Sequence, residues 1–378
     1  EQIRELIEDE NVHFLGGSHP TYAAEEMRIA NESQILNYQC CVGPDVFYEN
    51  DYATVFGIQV SNREYTRNFI RTLALAEFGS MAVIYEDDNT FTRTTCEAAM
   101  GFAEELGNTQ HTQEMDLVRT INATSRRRQI FRQFALNAQE KQVHFVVACL
   151  FPQDGKLLVD AFHDIEYPLR AFFVTTGPTS IDWVNSFDPP FRADDLFSAA
   201  QWHPGMKYFD DFFGTTLEYA ERYEDKFEGE PPTYLSAGAS AVGMTLTRAI
   251  QDAFRFCDIT ETEGDVDALL FDSSLVTCDD GLDMRGYDRV LHALADMDEE
   301  TFFGRIKFNY YRRNVGLDPV TTQVHPHETK SGETVRRIEA VLPLGYATEL
   351  IRLPAENPYQ ETCLPGYFVG DDSFEPCV

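Results

Sequence analysis

Short apolar runs alternating with helical segments recur through the first two-thirds of this chain, and that rhythm constrains its fold more than any other feature. Residues 12–16 read as a strand and 20–30 as a helix; 35–41 and 56–60 read as further strands. Residues 63–78 carry Phe69, Ile70, Leu73, Leu75 and Ala76 at helical spacing. Residues 81–85 form a strand running into acidic residues. Residues 94–106 form a helix stopped at Gly107, where a left-handed C-cap is expected. Strands follow at 143–151 and 171–175. Strand–helix units repeated in this way fold into parallel sheets with helices on both faces.

The later chain changes character. Residues 210–228 predict an amphipathic helix ending before Pro231 and Pro232. Residues 235–256 predict a second, with Ala237, Gly238, Ala239, Ser240, Ala241 and Gly243 suited to close approach. A shorter helix is expected at 287–297, and strand-like alternation at 301–309, 321–325 and 335–341.

A length of 378 residues suits about two domains, and 43% hydrophobic with 13% aromatic content marks a globular chain. No apolar run approaches the roughly 20 residues a membrane-spanning helix needs. Glu1-Gln2-Ile3-Arg4 opens on a helix-like pattern with no leader, so a mature chain or a fragment is expected. The net charge is −33, and the lysines are Lys141, Lys156, Lys207, Lys226, Lys307 and Lys330. Such a surface repels phosphate backbones and anionic lipid, so nucleic acid is not an expected partner. It keeps a chain soluble in salty media, where charges are screened beyond about 3 Å at 1 M.

Cysteines stand at 40, 41, 96, 149, 257, 278, 363 and 377, none at zinc spacing. Cys363 and Cys377 lie in a Gly/Pro-rich, helix-poor tail and suggest a disulfide staple, hence an oxidising compartment. The chain path pairs Cys257 with Cys278 around an acidic insertion, and Cys96 with Cys149 at one strand edge. Cys40 and Cys41 are not expected to bond each other, because adjacent cysteines close a strained ring. Asn31-Glu-Ser and Asn122-Ala-Thr fit the glycosylation sequon, at a frequency that chance alone supplies.

Several segments, in order, resemble the leucine-binding-protein-like branch of type I periplasmic binding proteins. They are Phe14-Leu-Gly-Gly-Ser18-His19-Pro20, Cys41-Val42-Gly43-Pro44, Val55-Phe56-Gly57, Val83-Ile-Tyr-Glu-Asp-Asp88, Phe102 to Gly107, and Gly304-Arg-Ile-Lys-Phe308. The resemblance implies an α/β clamshell of two Rossmann-like lobes. Lobe one would hold residues 1–79 and 233–318, lobe two 80–232 and 319–345, with 346–378 an extended Cys-containing tail. The family opens with a strand–helix–strand unit whose first strand sits near the middle of lobe one's sheet. That unit is not found upstream of residues 2–9, so a removed segment or a second chain is expected to complete lobe one. Cys363-Leu-Pro-Gly-Tyr through Cys377 looks like the start of the cysteine-rich spacers that follow such domains in eukaryotic receptors.

In open parallel sheets ligands sit beyond the carboxyl ends of the strands. Gly16-Gly17-Ser18-His19 offers Ser18, His19 and backbone amides to an anionic group; the alternative is a glycine turn with Ser18 or Thr21 capping a helix. At Cys41 and Val42 the resemblance implies the grip on an α-amino-acid backbone, but Val42 stands where the family has a hydroxyl and brings no donor or acceptor. In lobe two, Glu86 with Asp87 and Asp88, Thr176 and Trp202 are the candidates. The acidic run either meets a ligand ammonium or serves as a solvated helix cap; Trp202 either walls a pocket or is core. Arg126-Arg127-Arg128 reads as a solvated helix face, and His325-Pro326-His327 lacks a third metal ligand.

No nucleophile elbow, zincin or phosphate-loop motif is present. The reading is a non-enzymatic extracellular domain, without cofactor or metal, that closes its lobes on a small molecule and works as a homo-oligomer or with other extracellular subunits. Its rival is a structural or adhesive component with a degenerate pocket.

Overall fold

The computed structural model describes residues 2–353 apart from 9, 11, 18–21, 116–123, 260–269, 271–275 and 279–283. The helices are α1 (Gln2–Glu8), α2 (Ala23–Glu32), α3 (Arg67–Leu75), α4 (Thr90–Glu105), α5 (Thr124–Glu140), α6 (Pro152–Asp164), α7 (Ile181–Asn185), α8 (Thr216–Lys226), α9 (Tyr234–Ala253) and α10 (Gly286–Ala295). The strands through the first half are β1 (Phe14–Gly16), β2 (Leu36–Gln39), β3 (Val55–Gly57), β4 (Ser80–Glu86), β5 (Thr109–Met115), β6 (Phe145–Cys149), β7 (Ala171–Val174) and β8 (Leu196–Ala200). The remainder are β9 (Phe209–Asp210), β10 (Gly214–Thr215), β11 (Cys257–Ile259), β12 (Val276–Cys278), β13 (Asp298–Thr301), β14 (Gly304–Lys307), β15 (Val320–Glu328) and β16 (Thr334–Leu342).

The described residues form two compact units, one from within 1–60 and 207–317 and one from within 61–206 and 318–353. The first two divisions fall earlier than the expected 79 and 232. Phe69, Ile70 and Leu73 of α3 pack on the sheet of unit two, which draws residues 61–79 into that unit. Tyr219 of α8 stacks on Phe302, 4.1 Å between ring centroids, which draws residues 207–232 into unit one.

Unit two is built on a seven-stranded sheet ordered β16-β15-β8-β7-β6-β4-β5. Strands β8, β7, β6, β4 and β5 are parallel; β15 and β16 add an antiparallel hairpin at one edge. Side chains alternate across it. Ala82, Ile84, Val146, Ala148 and Val174 face Phe131, Phe134, Leu158 and Phe162 of α5 and α6. Met81, Val83, Phe145, Val147 and Phe173 face α3 and α4. With both faces covered, these strands read as continuous apolar runs. Cys96 of α4 is bonded to Cys149 at the end of β6, S–S 2.01 Å. Gly107 closes α4 in the left-handed region, φ +77°.

Unit one holds a three-stranded parallel sheet, β1-β2-β3. Helix α2 packs Ala23 and Met27 against Val42, Tyr48 and Val55. Thr245 of α9 donates to the hydroxyl of Tyr38 on β2 at 3.0 Å. Residues 309–314 run along β3, with Gly57 N–H donating to Arg312 O at 3.0 Å and Asn314 N–H to Gly57 O at 2.9 Å. Among the described residues β1 has one strand neighbour, β2.

The helix expected at 210–228 starts at Thr216 instead. Asp210 is buried, and its carboxylate accepts from Phe212 and Phe213 N–H at 2.8 and 2.6 Å and from Phe302 N–H at 2.7 Å. Those bonds hold residues 209–215 as a hairpin, and a Thr215/Glu218 capping box then opens α8. Cys257 and Cys278 are joined across β11 and β12. Asn31 sits in the last turn of α2. Cys363, Cys377 and Asn122 lie outside the described residues.

Candidate functional site

Unit one gathers its chemistry beyond the carboxyl ends of β1, β2 and β3. Gly17 follows β1 and donates to Tyr38 O at 2.8 Å. A Cβ on Gly17 would lie 2.3 Å from Gln39 Oε1 and 2.6 Å from its Cα, so only glycine lets the two strand ends approach this closely. Gln39 is fully buried. Its amide donates to Asn37 Oδ1, and Asn37 donates to the buried Glu26 carboxylate at 2.7 Å. Gln39 Oε1 has no hydrogen-bond partner, and neither has Nε2 of buried Gln59 beyond β3. One free acceptor and one free donor therefore sit at the ends of neighbouring strands, each costing stability until something meets it.

Cys40 and Cys41 follow β2 and, against expectation, are bonded to each other. The chain bends at both residues, so the ring is accommodated where the strand stops. Val42, expected at the ligand, has 0% exposure. Its side chain is in the core with Met27 and Tyr48, and its carbonyl accepts from the Tyr48 hydroxyl at 3.1 Å. Arg313 anchors the next turn by bonding Gly43 O and the Asp45 carboxylate. Ser18 and His19 lie outside the described residues.

In unit two, β4, β6 and β7 end side by side. Glu86 is the last residue of β4, half-buried; burial, then the charges of Asp88 and Asp154, raise its carboxyl above the usual range, with Arg127 opposing. The acidic run does not cap α4. Asn89 does, its Oδ1 accepting from Phe91 and Thr92 N–H at 2.9 and 3.3 Å. Thr176 beyond β7 is half-buried and donates its hydroxyl proton to Leu150 O at 2.7 Å, leaving its oxygen as an acceptor. Gly177, at φ +110°, lies under the Trp183 indole, where a Cβ would come within 2.6 Å of the ring. Trp183 Nε1 donates to Pro152 O at 2.8 Å and so braces the start of α6. Trp202, two residues past β8, is buried at 3% exposure.

Arg127 corrects the reading of the triple arginine as a solvated face. Arg126 and Arg128 are exposed, whereas Arg127 bonds Asp154, a buried carboxylate in the first turn of α6. Asp154, Arg127, Trp183, Gln39 and Gln59 were not legible as site residues. Their only signal is position just beyond strand ends that had themselves to be located first. On β15, His325 is buried and its Nε2–H donates to Gln323 Oε1 at 2.9 Å, while His327 lies 3.3 Å from Glu339. No cluster of three or more metal-binding side chains occurs among the described residues.

Two α/β units whose parallel strands end beside polar side chains have the architecture in which small solutes are held beyond the strand ends. The family model for periplasmic binding proteins matches residues 1–315, and the chain belongs to that family. Its fold is the family's two-lobe, type I architecture. A putative branched-chain amino acid ABC transporter from Silicibacter pomeroyi aligns with TM-score 0.65 and 13% identity, over 93% of this chain and 84% of that one. An ABC transporter substrate-binding protein from Desulfitobacterium hafniense, in complex with Leu, aligns with TM-score 0.58 and 14% identity, over 89% and 83%. A solute-binding protein from R. palustris in complex with benzoate aligns with TM-score 0.57 and 12% identity, over 91% and 83%. At these identities the likeness is one of fold. No curated protein matches the chain.

Proposed function

We propose that this domain senses a small amino-acid-like molecule outside the cell, as the ligand-binding part of a cell-surface receptor that works by lobe closure. The observation that carries the reading is the end of β4. There the Glu86 carboxyl feels two other carboxylates, Asp88 and Asp154, against the guanidinium of Arg127. A ligand ammonium relieves that crowding and a bare carboxylate worsens it. The buried, unpartnered Gln39 Oε1 and Gln59 Nε2 give unit one hydrogen-bonding capacity of its own at its strand ends. Disulfides at Cys96–Cys149 and Cys257–Cys278 suit an oxidising, extracellular setting. No helix among the described residues is long and apolar enough to cross a membrane. The domain binds rather than catalyses, and we place it in a homo-oligomer or with other extracellular subunits.

A second reading has its own support. Val42 is core and the Thr176 proton is committed to Leu150, so two of the strand-end positions offer less than the fold allows. That is what a structural or adhesive scaffold with a degenerate pocket retains. A thermal-shift screen with amino acids, amines and carboxylates separates the two. A ligand at 100 times its Kd adds about 2.7 kcal/mol. Stabilisation by amino acids that disappears in Glu86→Gln supports sensing. No shift with any class overturns it in favour of the scaffold.

A further inference from the structure

The Cys40–Cys41 bond is poorly explained as a staple. In the chain-entropy account a disulfide stabilises by closing a loop in the unfolded chain, and the effect grows with loop length. Cys96–Cys149 spans 53 residues and Cys257–Cys278 spans 21; Cys40–Cys41 spans one. Its contribution to stability is therefore the smallest of the three. Its setting differs as well. Cys96 and Cys149 are both fully buried and Cys257 and Cys278 are both partly exposed, whereas here Cys41 is partly exposed beyond the end of β2 and Cys40 is covered. Cys40 Sγ lies 3.6 Å from the carbonyl oxygen of Gly17. In the disulfide that sulfur has no proton to donate. As a thiol it becomes a donor already placed at an acceptor.

We propose that Cys40–Cys41 is a thiol–disulfide exchange site for small-molecule thiols. The thiolate of the small molecule attacks the exposed Cys41 Sγ. A mixed disulfide forms there as the Cys40–Cys41 bond breaks, and the electron pair leaves on Cys40 Sγ, which takes a proton from solvent. A second thiolate then attacks the small molecule's sulfur in the mixed disulfide. The small-molecule disulfide departs, and Cys41 leaves as a thiolate that is protonated. The protein gains two electrons and two protons, and the two thiols supply both. The exchange is local. Tyr48 still holds Val42 O, and Arg313 still holds Gly43 and Asp45, so the bend at residues 40–41 relaxes between fixed ends. This site stands whether or not the neighbouring strand ends hold a ligand.

The test is to incubate the oxidised full chain with graded glutathione under native conditions, quench by alkylation, and locate adducts by peptide mass spectrometry. The expected first product is a glutathione adduct on Cys41, followed by alkylation of both Cys40 and Cys41. Both should precede any modification of Cys96 or Cys149 by about tenfold or more in rate. The Cys40→Ser/Cys41→Ser double variant should lose the adduct and keep its melting temperature. An adduct on Cys40 in place of Cys41 overturns the proposal. So does an intact Cys40–Cys41 bond at a thiol concentration that already labels Cys257 and Cys278. Should the double variant not fold, the wild-type labelling order decides alone.

Discussion

A single nitrogen of Arg127 reaches both oxygens of Asp154, Nη1 donating to Oδ1 at 2.9 Å and to Oδ2 at 2.8 Å. The arginine side chain keeps 28% of its exposure and the aspartate 8%. Asp154 stands in the first turn of α6, where the helix dipole already favours an anion. Arg127 supplies the rest of what a nearly buried carboxylate needs. Arg127→Ala should therefore destabilise the protein by about 1.5–3 kcal/mol, the range for a hydrogen bond to a charged group. Urea unfolding reads this directly, and the Arg127→Ala/Asp154→Ala double variant should cost less than the two single losses combined. A cost for Arg127→Ala within about 0.5 kcal/mol of zero would show an idle surface pair.

Glu86 reports on the same cluster through its titration. Burial raises its carboxyl first, Asp88 and Asp154 add to the shift, and Arg127 is the one group opposing them. Removing the guanidinium should move the Glu86 pKa further up. Carbon-13 detected NMR titration of wild type and Arg127→Ala measures the change. A downward movement would mean that Arg127 does not act on Glu86 through its charge.

Cys96–Cys149 ties α4 to the end of β6 in the fully buried core of unit two, and it closes the longest disulfide loop described. A loop of this size corresponds to about 4 kcal/mol of chain-entropy stabilisation. Cys96→Ala/Cys149→Ala should lower unfolding free energy by roughly that amount, whereas Cys40→Ser/Cys41→Ser should cost far less. Guanidinium unfolding of both double variants makes the comparison. Equal losses would show that loop length does not govern these bonds.

What could be read from the residues follows the packing. Strands β4, β6 and β7 are covered on both faces, so they are apolar throughout and stand out, and their order already implied the parallel sheet. Strand β5 is Thr-Gln-His-Thr-Gln-Glu-Met at the sheet edge and offers no such run. The 210–228 segment has helical periodicity, yet one buried carboxylate, Asp210, turns its first residues into a hairpin. The site was harder for a related reason. Arg127 and Asp154 are 27 residues apart and meet only because α5 and α6 pack on one face of the sheet. Gln39 and Gln59 belong to no motif; only burial without a partner marks them. Ring strain argued against Cys40–Cys41, but the bend at the end of β2 gives the ring a place where no ladder bond is lost.

Asp195 provides a pH signature that can be checked without knowing the ligand. Burial lifts its carboxyl to about 6 from an ordinary 3.8, with Arg352 opposing and Asp194 adding to the shift, and its Oδ1 has no hydrogen-bond partner. Between these two values the folded protein holds a proton that the unfolded chain does not. Stability contributed by Asp195 is therefore fully present below 3.8 and lost as pH rises through 6. His325 runs the other way. Burial first, then Arg352 and His327, push it down to about 3, so its contribution is present above its ordinary 6.5 and fades as pH falls toward 3. Both groups act between pH 6.5 and 4, and the wild-type curve shows only their difference. Asp195→Asn isolates the acid, because asparagine tolerates the left-handed backbone that Asp195 adopts at φ +61°. The variant should be about 1–2 kcal/mol more stable than wild type at pH 8, with the gain vanishing near pH 4. Urea midpoints at pH 8, 6 and 4 measure it. A gain that stays constant across that range would mean the ionisation of Asp195 is not its cause.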